Sequence, residues 1–93
     1  GELEVDARAR RVTVAGDEVA LTTKEFDLLA ALAADPGAVV SRKQLLQDVW
    51  DTTWYGSTKT IDVHVASLRR KLGERVTIET VRGIGFRLKI GVE

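Results

Sequence analysis

The chain has 93 residues, 44% hydrophobic and 30% charged, the proportions of one ordinary globular domain with a modest core. No apolar run approaches the roughly eighteen residues of a membrane span, and Gly1-Glu2-Leu3-Glu4-Val5 is no signal peptide. Net charge is zero but unevenly placed: residues 1–57 carry six Lys/Arg against ten Asp/Glu, and residues 58–93 carry eight against four.

That asymmetry, −4 against +4, leaves room for a polyanionic partner, because screening confines each half's field to about 10 Å. With no cysteine there is no disulfide framework, which fits a cytosolic protein, and with one histidine a zinc site is not expected. The start without methionine suggests a segment of something longer.

In chain order, Leu3/Val5, Val12/Val14 and Val19/Leu21 alternate around turn signals such as Ala15-Gly16-Asp17, predicting a small antiparallel sheet with one covered face. Thr22-Thr23-Lys24-Glu25 has the spacing of a capping box and opens a first helix. Phe26, Leu29, Ala30 and Ala33 mark its inner face, Leu28 and Leu32 widen it, and Asp35-Pro36-Gly37 stops it. Val39-Val40 bridges to a second capping signal, Ser41-Arg42-Lys43-Gln44, and to a short helix bearing Leu45, Leu46, Val49 and Trp50. Residues 51–57 read as a polar loop with two aromatics, Trp54 and Tyr55. A third helix covers residues 58–72 and ends near Gly73. Two alternating segments, Val76–Val81 and Phe86–Ile90, flank Arg82-Gly83-Ile84-Gly85, whose two glycines suit the positive φ of a hairpin tip.

Strands, three helices and a terminal hairpin predict an α+β fold: a winged helix-turn-helix with an N-terminal antiparallel sheet, three helices and a C-terminal β-hairpin wing. The whole of residues 1–93 forms this one domain.

The third helix carries the functional signal. At about 100° per residue, Ile61, Val65, Leu68 and Leu72 form one inward stripe. The opposite side presents Lys59, Val63, Ala66, Ser67 and Arg70, with Arg69, Lys71, His64 and Asp62 on the flanks. Small residues let a helix backbone approach base edges, Val63 or Ala66 can meet a thymine methyl, and an arginine can bond guanine at two atoms. Flanking cations would meet phosphates. Arg82, at a glycine-flanked hairpin tip, has the character of a minor-groove contact.

"TIDVHVASLRRKL" followed by "TVRGIGFRL" resembles the DNA-binding effector domain of OmpR/PhoB-type two-component response regulators, and "LTTKEFDLLAALAADPGAVVSRKQLLQDVW" is similar to that family's first two helices. The resemblance covers nearly the whole chain. It implies a four-stranded N-terminal sheet, three helices and a hairpin, in a bacterial cytoplasmic transcription regulator. A receiver domain, phosphorylated on aspartate by a sensor histidine kinase, would precede this segment. The resemblance also implies DNA-backbone contacts at Trp50, Lys59, Thr60, Arg69 and Thr80, and groove contacts at Arg70 and Arg82. His64 is read as a satisfied or phosphate-facing surface histidine. Loop residues Asp51, Thr52, Thr53, Trp54, Tyr55, Gly56 and Ser57 correspond to a segment that contacts RNA polymerase. Ala66 and Ser67 depart from members with arginines there, and Phe86 stands for a frequent tyrosine. The expected partner is double-stranded promoter DNA, bound in tandem by a domain that is monomeric in isolation, with no membrane and no cofactor.

Two alternatives compete. A winged helix can bind protein instead of DNA, but such a module is expected to lose the basic groove face that the +4 half contains. An enzyme is the weaker alternative. His64 has only Asp62 nearby, and Glu25, Asp27, Asp48 and Asp51 read as helix-end or solvated carboxylates. The wing glycines do not open a helix, so they form no phosphate loop.

Overall fold

The computed structural model describes residues 2–50 and 59–90. Strands β1 (Leu3–Asp6), β2 (Arg11–Val14) and β3 (Asp17–Val19) form an antiparallel sheet in that order, with Val5 opposite Val12 and Val12 opposite Val19. Val12 and Val14 are buried while Thr13 between them is half-buried and Arg11 before them is exposed, which is the covered-face alternation read from the sequence. Ala15 (φ 51°) and Gly16 (φ 88°) form a two-residue turn with both φ positive, the twist a tight hairpin favours. Leu21 lies outside the strands. This sheet has three strands rather than the four that the family resemblance implied.

Helix α1 (Thr23–Ala33) starts at a complete capping box: Thr22 Oγ1 accepts from the Glu25 N–H at 3.2 Å, and Glu25 Oε1 accepts from the Thr22 N–H at 2.9 Å. Helix α2 (Arg42–Trp50) has half of one. Ser41 Oγ accepts from the Gln44 N–H, but the Gln44 amide turns forward to Asp48 at 2.9 Å instead of back. Helix α3 (Lys59–Leu72) follows, ended by the Gly73 N–H donating to the Arg69 carbonyl at 3.2 Å.

The wing consists of β5 (Val76–Val81) and β6 (Gly85–Ile90), joined by Arg82-Gly83-Ile84, with the Ile84 N–H closing on the Val81 carbonyl at 2.9 Å. Gly83, at φ 78°, supplies the left-handed residue of this turn. Gly85 has a different purpose from the positive φ expected of it. A Cβ there would lie 2.0 Å from the Val40 carbonyl oxygen, because β4 (Val40–Ser41) runs against β6. The bridge at Val39-Val40 is thus partly a strand, and the second sheet has the order β4-β6-β5.

The core gathers Leu28, Leu29 and Leu32 of α1, Leu45 of α2, Ile61, Val65 and Leu68 of α3, and Ile78, Phe86 and Leu88 of the wing, all at most 2% exposed. Each such side chain contributes about 1.5–3 kcal/mol of burial. Among the described residues, no helix is long and apolar enough to cross a membrane.

Candidate nucleic-acid interface

The inward stripe of α3 is the predicted one: Ile61, Val65, Leu68 and Leu72 are all buried. The outward side splits into a bare ridge and two occupied flanks. On the ridge, Val63 is 66% exposed, and Ala66 and Arg70 are exposed beside it. Arg70 makes no hydrogen bond or ion pair among the described residues. Lys59 is exposed at the head of the ridge but has an interaction partner.

Neither flank is free. The Ser67 hydroxyl, expected at the bases, donates to Glu25 Oε2 at 2.6 Å, and Lys71 Nζ donates to Glu25 Oε1 at 2.7 Å. The helical wheel placed Ser67 by angle alone and could not show that the start of α1 fills that side. Glu25 is correspondingly not a solvated carboxylate: it is 3% exposed. Burial by itself would raise its pKa. Hydrogen bonds from Lys71, Ser67 and the Thr22 backbone, with the Lys71 charge, outweigh that and hold it at about 2.

On the other flank, Arg69, expected at a phosphate, is bonded to the wing. Its Nε donates to the Ile78 carbonyl at 2.9 Å, and its Nη2 to Thr80 Oγ1 at 2.8 Å. The two expected backbone contacts, Arg69 and Thr80, are therefore bonded to each other. Further toward the N-terminus of α3, Arg42 of α2 holds Asp62 at 3.2 Å while its guanidinium lies over the Phe86 ring.

The Arg69–Thr80 bond also fixes where the wing leaves the domain. Val76 and Ile78 face the core, Thr80 shares their side of β5, and the turn beginning at Arg82 follows two residues later. Arg82 is exposed and unpaired among the described residues. Next to it, Ile84 is 58% exposed, so the tip offers a cation and an apolar side chain together. At the root, Glu79 and Arg87 pair across the strands; the hydrogen bond with Arg87 lowers the Glu79 pKa and raises that of Arg87.

At the other end of α3, half-buried Trp50 meets His64 edge-on, ring centroids 5.1 Å apart, and Lys24 bonds the Val49 carbonyl at 2.8 Å beside the same indole. His64 Nδ1 faces the Thr60 carbonyl at 2.8 Å; a carbonyl only accepts, so that nitrogen carries hydrogen. Thr60 is half-buried. The loop residues Asp51, Thr52, Thr53, Trp54, Tyr55, Gly56 and Ser57 lie outside the described residues.

Residues 16–88 match the family described as transcriptional regulatory protein, C terminal. The chain belongs to that family, the effector domains of OmpR/PhoB-type response regulators. It is similar to the transcriptional regulatory protein CseB of Streptomyces avermitilis, 48% identical over 96% of this chain and 37% of that protein. Similarity to PrrA of Mycobacterium tuberculosis is 49% over 97% of this chain and 40% of that protein. The chain thus spans about two fifths of the length of these relatives. Among solved structures, the DNA-binding domain of Bacillus subtilis CssR superimposes with a TM-score of 0.82, at 36% identity over 94% of this chain and 99% of that one. The Klebsiella pneumoniae RstA DNA-binding domain, in complex with the RstA box, gives 0.81 at 34% identity over 95% and 91%.

Within the frame of an OmpR/PhoB-type effector domain, sequence reasoning missed the second use of Glu25. Its capping partners are local and explain it fully, whereas Ser67 and Lys71 are 42 and 46 residues away. The only available signal was that Ser67 and Lys71 lie one helical turn apart on one flank.

Proposed function

We propose that this domain binds double-stranded promoter DNA sequence-specifically, laying the ridge of α3 in the major groove and the wing tip in the adjacent minor groove. The single observation that carries this is the bare Val63–Ala66–Arg70 ridge on a helix whose own side chain, Arg69, anchors the strand leading to Arg82. Arg70 suits a guanine edge, and Val63 and Ala66 suit thymine methyls. Arg82, with Ile84, enters a narrow minor groove. Lys59, Thr60, Trp50 and His64 line the phosphate side at the start of α3. Ser67, Arg69 and Thr80 support this surface from within. Complexes in the solved set, such as RstA with its box, support the same reading.

In the full-length protein a receiver domain precedes this segment, a sensor histidine kinase phosphorylates it, and residues 51–57 meet RNA polymerase. The domain works in the cytoplasm without a cofactor, is not an enzyme, and occupies repeated half-sites in tandem while remaining a monomer off DNA. The test is a titration against selected and random duplexes at two salt concentrations. Specific binding whose log–log salt slope steepens by about 0.9 per neutralised phosphate is the expected result. A flat salt response, or no duplex binding, would favour a winged helix that recognises protein instead.

A further inference from the structure

A capping box requires of Glu25 only that it reach the Thr22 N–H, which it does at 2.9 Å. The same carboxylate also takes the Ser67 hydroxyl at 2.6 Å and the Lys71 ammonium at 2.7 Å, in a residue only 3% exposed. Ser67 and Lys71 lie roughly 60° and 100° around α3 from Arg70, both on the same side. Resting on the DNA-binding reading above, we propose that Glu25 is a positioning residue for recognition: it draws the Ser67–Lys71 flank onto α1 and so fixes the rotation of α3 that turns Val63, Ala66 and Arg70 toward the bases.

A carboxylate is suited to this. Its hydrogen bonds to an ammonium and a hydroxyl are charge-assisted, short and directional. A buried carboxylate left partly unpaired is strongly disfavoured, so a rotated seat of α3 that broke either bond would be poorly populated. Ser67 thereby influences base choice without touching a base. Its hydroxyl is a fastener, and the side chains it orients are the readers. Among the described residues the opposite flank has no equivalent buried charge: Arg69 ends on a backbone carbonyl and a hydroxyl of the wing. Glu25 is therefore the group that defines the angle, and Arg69 the group that carries it to the wing.

The 93-residue chain tests this through Glu25→Gln and Ser67→Ala, with two readouts. The first needs no DNA. The His64 ring lies 5.1 Å from the Trp50 ring at 79°, on the same side of α3 as Lys71, so rotation of the helix carries it through the indole ring current. Both variants should move the His64 ring proton resonances in the same direction. The second is affinity across a panel of duplexes that differ by one base pair. Glu25→Gln should redistribute preference, by about fivefold or more at one position at least. A folded Glu25→Gln chain with unmoved His64 resonances would overturn the proposal, as would one common loss factor across the panel. Ser67→Ala changing base preference with an unaltered DNA-free spectrum would also overturn it, by making Ser67 a direct reader. If Glu25→Gln does not fold, Ser67→Ala decides alone. A wild-type chain that binds no duplex would remove the DNA-binding reading, while the His64 resonances would still decide whether Glu25 seats the helix.

Discussion

The two flanks of α3 are secured by opposite chemistry. On one side a buried carboxylate, Glu25, collects a hydroxyl and an ammonium from α3; on the other an arginine of α3, Arg69, reaches out to a carbonyl and a hydroxyl on β5. The first tether joins a buried carboxylate to an ammonium that reaches solvent, so its strength depends on protonation. The second ends on neutral acceptors, the carbonyl of buried Ile78 and the hydroxyl of exposed Thr80. The difference teaches that the helix is seated on the core by one flank and coupled to the wing by the other. Damage to the two sides should therefore show up in different measurements.

The largest expected effect is on the Glu25 side. Its pKa of about 2 lies below the ordinary value of 4.5, so its contribution is fully present above about pH 4.5 and fades as the pH falls toward 2. A shift of that size corresponds to on the order of 3 kcal/mol at neutral pH. Glu25→Gln should lose that stability in denaturant titrations and flatten their pH dependence between 4.5 and 2. A wild-type and variant difference that stayed constant with pH would break the contrast between the flanks.

Next comes Arg69→Ala, which frees the Ile78 carbonyl and Thr80. It should cost about 1–2 kcal/mol of stability with no acid dependence of its own. Its signature is functional: contributions from both grooves should fall together, because the wing loses its anchor. Arg82→Ala should change stability by less than about 0.5 kcal/mol. Its effect is on affinity, roughly fivefold in A·T-rich flanking sequence and less elsewhere, measured by duplex titration. Smallest of all is Glu79→Gln. That pair with Arg87 is exposed to solvent, and the thermal midpoint of the variant should coincide with that of the wild type.

Much of this architecture was legible because it rests on local periodicity. The stripe Ile61–Val65–Leu68–Leu72 and the Thr22–Glu25 cap were read from spacing alone, and both have the expected geometry. What escaped the reading depended on distant partners. A two-residue strand such as β4 is too short to show a period, and only the proximity of Val40 explains Gly85. A wheel assigns direction without knowing what packs alongside, so it could not show that Ser67, on the outward side, and Arg69, on the flank, are already bonded within the domain. Val63, Ala66 and Arg70 are exposed members of the outward side read from the wheel.

The wing's central strand, β6, is hydrogen-bonded along both edges: to β5 on one side, and on the other to β4 from the middle of the chain. The Gly37 N–H adds a further bond to the Leu88 carbonyl at 2.9 Å. A hairpin rooted in this way cannot swing like a free arm. It meets its target already aimed, so little conformational freedom is lost on docking. The distance between the two places where this protein would touch a duplex is set during folding, and a DNA site with the wrong groove spacing would have to bend to fit.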